Sequence, residues 1–334
     1  MENHQTPAIG LDFGTSRIVA ARPGEPAFQY ESQLNAFISV PFSRMTEKVL
    51  REEGVPYVTA ASELLVHGNE AARFADLLNA EIRRPMTRGF LNPGEPESVK
   101  LIEAITRLLT ARTDKSEKKT KVCFAVPAAP AGSEESLIYH EASLKQVLES
   151  LGFEARSINE GLAVVYGEME ATNYTGIGIS CGGGLCNVCM AYLSVPVLSF
   201  SIPKAGDFID ASAAAVTGER ANRLRILKEE SFFLNGHYPG KLQQVLGLYY
   251  DDMIRALVQG LKEAFEQARN MPKLTRPIPL VLSGGSAMPK GFRDRFEKIL
   301  RESGFPVAIS EIRLAADPLT TTAKGALVAA LSDM

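Results

Sequence analysis

Residues 8–22, AIGLDFGTSRIVAAR, and residues 174–193, YTGIGISCGGGLCNVCMAYL, share one pattern. Each consists of an apolar strand, a turn that contains glycine and a second apolar strand. The two stretches lie about half a chain apart, which is too long a period for a solenoid repeat. The repeated pattern predicts two related domains, each contributing one hairpin to a shared cleft.

Apolar strands alternate with helical patterns along the rest of the chain. This alternation predicts α/β architecture with largely central, buried strands. In residues 98–112 the apolar positions are spaced for one buried helix face. Further strands are predicted at residues 121–127, 195–202 and 277–285, and further helices at 133–151, 160–171, 207–230, 242–270, 289–303 and 320–332.

The composition is that of an ordinary globular protein, with 334 residues, 45% hydrophobic and 22% charged. The formal net charge of −3 gives no hint of nucleic-acid binding, which usually needs a basic face. No apolar run approaches the roughly 20 residues of a membrane helix, and the N-terminus lacks a signal-peptide pattern. The four cysteines fit a reducing compartment. We therefore expect a cytoplasmic protein of two domains without nucleic-acid or transmembrane partners, while weak contact with a membrane surface stays open.

The first hairpin carries a candidate anion site. Its strand delivers Asp12, and Gly14, Thr15 and Ser16 form a tight turn. Glycine permits close approach of the backbone to a ligand, and the amides and hydroxyls of Thr15 and Ser16 can donate to phosphate oxygens. Asp12 can hold Mg²⁺ directly or through its waters. Taken alone, this pattern fits an ordinary hairpin equally well.

The second hairpin raises the question of a metal site, because Cys181, Cys186 and Cys189 lie within nine residues. Side chains alternate between the two faces of a strand, so Cys186 and Cys189 are predicted to point in opposite directions. No histidine lies nearby to complete a zinc site. We therefore interpret the thiols as buried packing groups and the glycines, Gly182 to Gly184, as a second phosphate-contacting turn.

Two further stretches complete the set of candidate sites. Gly284, Gly285 and Ser286 follow an apolar strand and precede a helix, a junction that suits close approach to a nucleotide. Glu160 opens a helix after an asparagine turn and could orient a water for hydrolysis. Alone, each is better explained as a plain turn or as an acidic residue that favours the helix dipole.

In their order along the chain, these motifs resemble the superfamily of actin, DnaK-type chaperones and sugar kinases. IGLDFGTSR and residues 178–189 resemble its two phosphate loops, and SGGSAMPKG its adenosine loop. Residues 158–167 and 321–331 resemble its two connecting helices. Residues 66–75, 83–91 and 204–215 are most similar to bacterial actins such as MreB and MamK. The resemblance covers nearly the whole chain and implies two related ribonuclease H-like domains around a nucleotide cleft.

The resemblance implies a role for each matching residue. Asp12 matches the Mg²⁺-associated aspartate, and Glu160 lies where the family places its water-positioning Glu or Gln. The remaining matches imply contacts with ATP or ADP: Gly14, Thr15 and Ser16 in the first turn, Gly182, Gly183 and Gly184 in the second, Gly206 and Asp207 in the turn that follows, Arg225, Lys228 and Glu229 beside the adenosine, and Gly284, Gly285 and Ser286 in the adenosine loop.

One position departs from the family pattern. The second phosphate motif usually begins with aspartate and contains threonine, whereas this chain has Ser180 and Leu185 at those places. A serine hydroxyl can bond a Mg²⁺-bound water, but it brings no negative charge. We therefore expect weaker metal binding and slow hydrolysis.

The resemblance implies a slow Mg²⁺-dependent ATPase that assembles head to tail into cytoskeletal filaments. A non-polymerising, DnaK-like switch acting on a protein partner and a small-molecule kinase stay open as alternatives. The implied division is a first domain of residues 1–156 plus 318–334, with a small subdomain at about 30–90, and a second domain of residues 157–317. SFFLNGHYPG, residues 231–240, is predicted as a buried loop, with an assembly or membrane contact as the alternative.

Overall fold

The computed structural model describes residues 7–111, 119–128, 134–269 and 271–332. The strands of this part are β1 (Ala8–Phe13), β2 (Arg17–Arg22), β3 (Gln29–Leu34), β4 (Phe37–Pro41), β5 (Tyr57–Ala60), β6 (Glu63–His67), β7 (Met86–Thr87), β8 (Phe90–Leu91), β9 (Lys121–Val126), β10 (Glu154–Asn159), β11 (Gly176–Cys181), β12 (Cys186–Tyr192), β13 (Val195–Ile202), β14 (Ile278–Ser283) and β15 (Ile309–Leu314). The helices are α1 (Arg44–Glu52), α2 (Asn69–Leu78), α3 (Ser98–Thr110), α4 (Glu134–Ser150), α5 (Glu160–Glu168), α6 (Gly206–Thr217), α7 (Ala221–Ser231), α8 (Lys241–Gln267), α9 (Phe292–Glu302) and α10 (Thr321–Ser332).

Two five-stranded sheets share one topology. The first has the order β10-β9-β1-β2-β3, and the second, in the same sense, the order β15-β14-β11-β12-β13. In each sheet the central strand pairs antiparallel with the next strand of its hairpin and parallel with a later strand. The two related units predicted from the repeated hairpin are thereby confirmed, whereas their limits in residues stay a prediction.

The equivalence of the sheets extends to single residues. Asp12 is the fifth residue of β1, and Ser180 is the fifth residue of β11. Asp12 lies opposite Val19 on β2, and Ser180 lies opposite Asn187 on β12. The serine therefore occupies the position in the second sheet that the aspartate occupies in the first.

The layers follow from the apolar faces of these sheets. A core that contains α5 and α10 lies between the sheets, and it includes Ala8 of β1 and Val281 of β14. The other face of the first sheet packs on α3 and α4, and that of the second sheet on α8 and α9. Strands buried on both faces explain the continuous apolar runs in the sequence.

The central layer is held together by backbone contact at glycines. A Cβ added to Gly10 would lie 2.2 Å from the carbonyl oxygen of Ala323 in α10, and one on Gly178 would lie 2.4 Å from that of Gly161 in α5. The two helices cross at Gly325, where a Cβ would lie 1.7 Å from the carbonyl oxygen of Ala163. Side chains larger than hydrogen are therefore excluded at these contacts.

A smaller sheet extends the first unit. Its order is β4-β6-β5, and α1 and α2 belong to the same unit, as a separate small core shows. The chain enters it directly after β3, where the N–H of Asn35 donates to the carbonyl of Ser16 at 3.0 Å. None of the helices in the described ranges has the length and apolarity needed to cross a bilayer.

One predicted helix is wrong in extent. Residues 207–230 form two helices, α6 and α7, because the chain turns at Gly218. Gly218 has a φ of 72° and its N–H donates to the carbonyl of Ala214, which ends α6. Glycine adopts this left-handed conformation without steric cost, so it commonly ends helices. The single helix was predicted because apolar residues occur with helical spacing on both sides of Gly218.

We predict that Gly325→Ala lowers the free energy of unfolding by about 3 kcal/mol or more, because the added methyl group must displace the backbone of α5. Urea unfolding followed by circular dichroism measures this change. Gly260→Ala in α8 is the control, since its Cβ would meet only side chains, those of Phe200 at 3.2 Å and Ile202 at 3.5 Å. An equal loss in both variants would contradict the assigned helix crossing.

Candidate functional site

The carboxyl ends of the central strands meet at one cleft. Three turns surround a cavity of about 510 Å³: residues 14–16 after β1, residues 182–184 after β11 and residues 284–286 after β14. The structure brings together every residue that the sequence predicted for the site. Its lining includes Asp12, Gly14, Thr15, Ser16, Glu160, Gly182, Gly183, Gly184, Gly206, Asp207, Arg225, Lys228, Glu229, Gly284, Gly285 and Ser286.

The first turn (residues 14–16) and the second turn (residues 182–184) face each other at close range. A Cβ on Gly183 would lie 2.8 Å from Oγ of Ser16, and one on Gly184 would lie 2.6 Å from Oγ1 of Thr15. The backbone N–H groups of these four residues donate to no other described residue. The turns therefore present amide donors from both halves of the molecule, an arrangement that suits a phosphate-like anion.

Two half-buried carboxyl groups, those of Asp12 and Glu160, line the cleft beside these turns. Burial raises the pKa of Asp12 from 3.8 to about 7. Burial, together with the negative charge of Asp12, raises the pKa of Glu160 from 4.5 to about 8. Without a cation between them, the two groups resist simultaneous ionisation. A cation bound beside this pair would consequently be stabilised by electrostatic attraction to both carboxylates.

Hydrogen bonds fix both the start of the helix that carries Glu160 and the carboxyl group of this residue. At the first turn of α5, the side chain of Asn159 accepts a hydrogen bond from the N–H of Leu162 and caps the helix. The hydroxyl of Ser180 donates to Oε2 of Glu160 at 3.3 Å, and the amide of Asn187 donates to the same oxygen at 2.9 Å. Both hydrogen bonds lower the pKa of Glu160 and so oppose the effect of burial.

The sequence analysis missed Asn187. Its Oδ1 accepts a hydrogen bond from the N–H of Ala128 at 3.0 Å, so the amide bridges the end of β9 and the carboxyl group of Glu160. The available signal was a single polar residue inside the apolar run of β12, directly opposite Ser180. A buried amide in such a run needs partners on both of its atoms, which the cleft supplies.

The end of the cleft that contains Lys228 is polar, and its groups form hydrogen bonds with one another. Nζ of Lys228 donates to Oδ2 of Asp210 at 2.8 Å and to the carbonyl of Gly206 at 3.1 Å. The carbonyl of Gly182 accepts from Oγ of Ser286 at 2.8 Å and from the N–H of Gly206 at 3.1 Å. These bonds join the second turn, the start of α6 and the loop after β14 into one wall. Asp210 was not predicted.

The segment 231–240 is divided between core and surface. Phe232 and Leu234 are buried in the core between the second sheet and helices α8 and α9, as the buried-loop prediction expects, whereas Phe233 is 47% exposed. Phe232 and Phe233 both line the cleft, and Nζ of Lys290 lies 5.6 Å from the centre of the Phe233 ring. The segment therefore forms an aromatic rim at the polar end of the cleft.

Residues 84–91 connect the two halves across the cleft. Nη1 of Arg84 pairs with Oδ1 of Asp207 at 2.9 Å. The N–H of Gly89 donates to Oγ1 of Thr15 at 3.1 Å, and a Cβ on Gly89 would lie 2.5 Å from Cδ1 of Leu185. This segment consequently contacts both phosphate-type turns, and the leucine that replaces threonine serves as its apolar contact.

The cysteines have separate surroundings. Cys181 and Cys186 lie opposite each other on β11 and β12 and belong to the core of the second sheet's outer face. Cys189 lies in the core between the sheets, together with Cys123. The prediction that Cys186 and Cys189 point to opposite faces is confirmed. Among the described residues, no group of three or more His, Cys, Asp or Glu side chains is arranged to hold a metal ion.

The carboxyl pair predicts a pH-dependent stability of the ligand-free protein. The pKa of Glu160 is about 8 in the fold and near 4.5 in the unfolded chain, so the folded state binds more protons between these values. Stability is therefore lost as the pH rises through 8. We expect the free energy of unfolding to fall by about 1 kcal/mol per pH unit between pH 6.5 and 8.

Urea unfolding at several pH values without divalent cations measures this slope. The lowered pKa values of His67 and His140, about 4 instead of 6.5, give a slope of the opposite sign that fades within about one pH unit above 6.5. Glu160→Gln should flatten the slope, whereas Glu170→Gln, at an exposed site, should leave it unchanged. A wild-type protein with a flat profile would refute the assigned pair.

Comparison with known proteins places the fold. The chain is similar to the solved structure of a MamK double helical filament, with 16% identity over 97% of this chain and 98% of that one and a TM-score of 0.71. It is also similar to MreB5 of Spiroplasma citri bound to ADP, with 16% identity over 96% of this chain and 94% of that one and a TM-score of 0.67. A third similar structure is the ethanolamine utilization protein EutJ from Carboxydothermus hydrogenoformans. The match covers 96% of this chain and 88% of that one, with 16% identity and a TM-score of 0.55.

The predicted resemblance to bacterial actins is thus confirmed for the fold, which is the two-domain actin-like fold. The sequence comparison with curated proteins found no match. A family model, by contrast, matches residues 8–330, almost the full length. The chain therefore belongs to the Volactin family.

Proposed function

We propose that this protein binds ATP with Mg²⁺ in the cleft, hydrolyses it slowly and assembles head to tail into filaments. The observation that carries the proposal is the convergence of three separate turns and two half-buried carboxyl groups on one cavity of about 510 Å³. These groups come from sequence positions between 12 and 286, so only folding brings them together.

The cleft suits a nucleoside triphosphate at both ends. The N–H groups of Thr15, Ser16, Gly183 and Gly184 donate to no other described residue, so they are available to phosphate oxygens. The opposite end combines Lys228, Arg225 and Glu229 with the loop at residues 284–286, which suits a ribose and a base. The similar solved structures include MreB5 bound to ADP and to AMPPNP and a MamK variant bound to AMPPNP.

The residues present also suit Mg²⁺, although with less charge than a pair of aspartates provides. Asp12 and Glu160 are half-buried carboxyl groups with raised pKa values, and a divalent cation would let both ionise. A cation held by Asp12 would supply positive charge to offset that of the phosphate oxygens. Ser180 contributes a hydroxyl but no charge at the equivalent position of the second sheet.

The chain's own part in hydrolysis is positioning. Glu160, fixed by the amide of Asn187, would orient a water toward the terminal phosphoryl group and accept a hydrogen bond from it. The turns from both halves would hold that group, since their amides converge from opposite sides. With the pKa of Glu160 at about 8, its carboxyl is largely protonated at neutral pH until a cation binds, which favours slow turnover.

Assembly is supported by the fold and by the nature of the relatives. One similar structure is a MamK filament. The molecule itself is asymmetric, with the small sheet on one unit only, and a contact between unlike surfaces of identical copies propagates rather than closes.

Phosphate release, measured with Mg²⁺ and with EDTA alongside sedimentation, tests the proposal. We expect Mg²⁺-dependent release that Glu160→Ala lowers about tenfold or more, together with pelleting in ATP. A wild-type protein that neither binds ATP in calorimetry nor pellets would refute the function. ATP binding without pelleting would refute the assembly part alone and would favour the switch acting on a protein partner.

The serine at position 180 gives a gain-of-function prediction. Ser180→Asp should raise Mg²⁺-dependent turnover about threefold to tenfold, because a second carboxylate strengthens the cation site. Ser180→Ala is the control and should leave turnover at or below the wild-type rate. Steady-state phosphate release over a Mg²⁺ titration separates tighter metal binding from a faster chemical step. Equal rates in all three proteins would contradict this account of the slow reaction.

A further inference from the structure

Three exposed apolar side chains lie in the lining of the cleft: Phe233, Met288 and Leu319. They are 47%, 45% and 42% exposed, whereas the valine, leucine and remaining aromatic side chains of the lining are buried. Exposed apolar surface inside a concave site indicates a place that a ligand covers. We call these three side chains the apolar mouth.

The apolar mouth lies at the loop after β14. A Cβ added to Gly285 would lie 3.6 Å from Cδ2 of Leu319, so this leucine lies against the loop. Met288 belongs to the loop itself, and its N–H donates to the carbonyl of Gly285 at 3.3 Å. The mouth is therefore beside the loop that suits a ribose and a base, rather than at the two turns that suit phosphate.

The third member of the mouth, Phe233, is fixed on both sides in the chain. The N–H of Leu234 donates to the carbonyl of Lys290 at 2.8 Å, which ties the segment to the same loop. On the other side, Phe232 is buried and stacks on the ring of Tyr250, with 5.3 Å between the ring centres. The exposed ring of Phe233 is consequently held in position without a ligand.

One face of the Phe233 ring has a partner. Nζ of Lys290 lies over the ring, 5.6 Å from its centre, within the range of a cation–π contact. Among the described residues, no aromatic ring stacks on Phe233. The face opposite the lysine is therefore available to a planar ligand, and a nucleobase is planar and stacks well on aromatic rings.

The same end of the cleft contains polar atoms that lack partners. Oδ1 of Asp210 and the hydroxyl of Tyr250 form no hydrogen bond with any described residue, although these side chains are only 5% and 0% exposed. Both side chains line the cavity. Buried polar atoms normally have a partner. A nucleoside combines flat apolar ring faces with polar edges and hydroxyl groups, so it suits the apolar mouth and these atoms together.

We propose that Phe233 stacks on the base of the bound nucleotide and that Met288 and Leu319 pack around that base. The inference rests on the proposed binding of ATP and names the residue that recognises the base. Stacking depends on the flat face of a base and not on its hydrogen-bonding edge. This contact therefore stabilises adenine and guanine nucleotides alike, and it contributes nothing to the binding of the phosphate groups.

Removal of the ring from the full-length chain tests the contact. Phe233→Ala should weaken the binding of ADP and of GDP about tenfold each, and it should leave the binding of inorganic pyrophosphate unchanged, because pyrophosphate has no base. Phe233→Tyr keeps an aromatic face and should bind both nucleotides as wild type does. Leu248→Ala is the matched control, since Leu248 is 65% exposed on α8 and lies outside the lining. Calorimetry with Mg²⁺ measures all four proteins.

The absence of tryptophan from the chain allows a second, spectroscopic test. Phe233→Trp introduces one tryptophan at the stacking position, and ADP should quench its fluorescence because the base then lies against the indole ring. Pyrophosphate should cause no quenching. Leu248→Trp is the control for this measurement, and neither ligand should change its fluorescence.

Each outcome decides the proposal. A Phe233→Ala protein that binds ADP as tightly as wild type would overturn it, and so would a Phe233→Trp protein whose fluorescence stays constant while calorimetry shows bound ADP. Equal losses of ADP and pyrophosphate binding in Phe233→Ala would show a general effect on the cleft and would also overturn the stacking contact. In these cases nucleotide binding by the wild-type protein still stands. A wild-type protein that binds neither ADP nor ATP would overturn the proposed function itself.

Discussion

The crossing of α5 and α10 is the constraint on which the rest of the structure depends. The helices touch through backbone at Gly325 and Ala163, and each also lies directly on a central strand, α10 on Gly10 and α5 on Gly178. Close approach of backbone fixes the spacing of the two sheets without adaptable side chains between them. Since α5 begins with Glu160, the same contact that joins the sheets also sets the depth of this carboxyl group in the cleft.

The cleft shows how two equivalent hairpins come to act differently. Asp12 and Ser180 occupy the same place in their sheets, and only the first keeps a carboxyl group. In the second sheet, Ser180 and Asn187 instead donate hydrogen bonds to Glu160. The negative charge of the site therefore comes from one sheet and from α5, and the second sheet supplies neutral donors. This arrangement lowers charge repulsion in the empty cleft at the expense of attraction for a cation.

The sequence predicted the parts that depend on short-range chemistry. Both hairpins, the helix spacing and the opposite orientation of Cys186 and Cys189 follow from periods of 3.6 and 2 residues. The site residues were identified by the resemblance to a known superfamily. The sequence could not predict that Asn187 bonds Glu160, because that contact depends on register across β11 and β12. Arg84 was equally hidden, since its partner Asp207 lies 123 residues away. The small sheet was predicted only as a region, because its strands are only four or five residues long.

One segment links the cleft with the small sheet. Arg84 pairs with Asp207 across the cleft. The residue before it, Arg83, forms a bridge with Phe37 of β4, so the segment is fixed to the small sheet as well. Because the N–H of Gly89 also donates to Oγ1 of Thr15, residues 83–89 join both halves of the cleft to the small sheet without a separate connecting element.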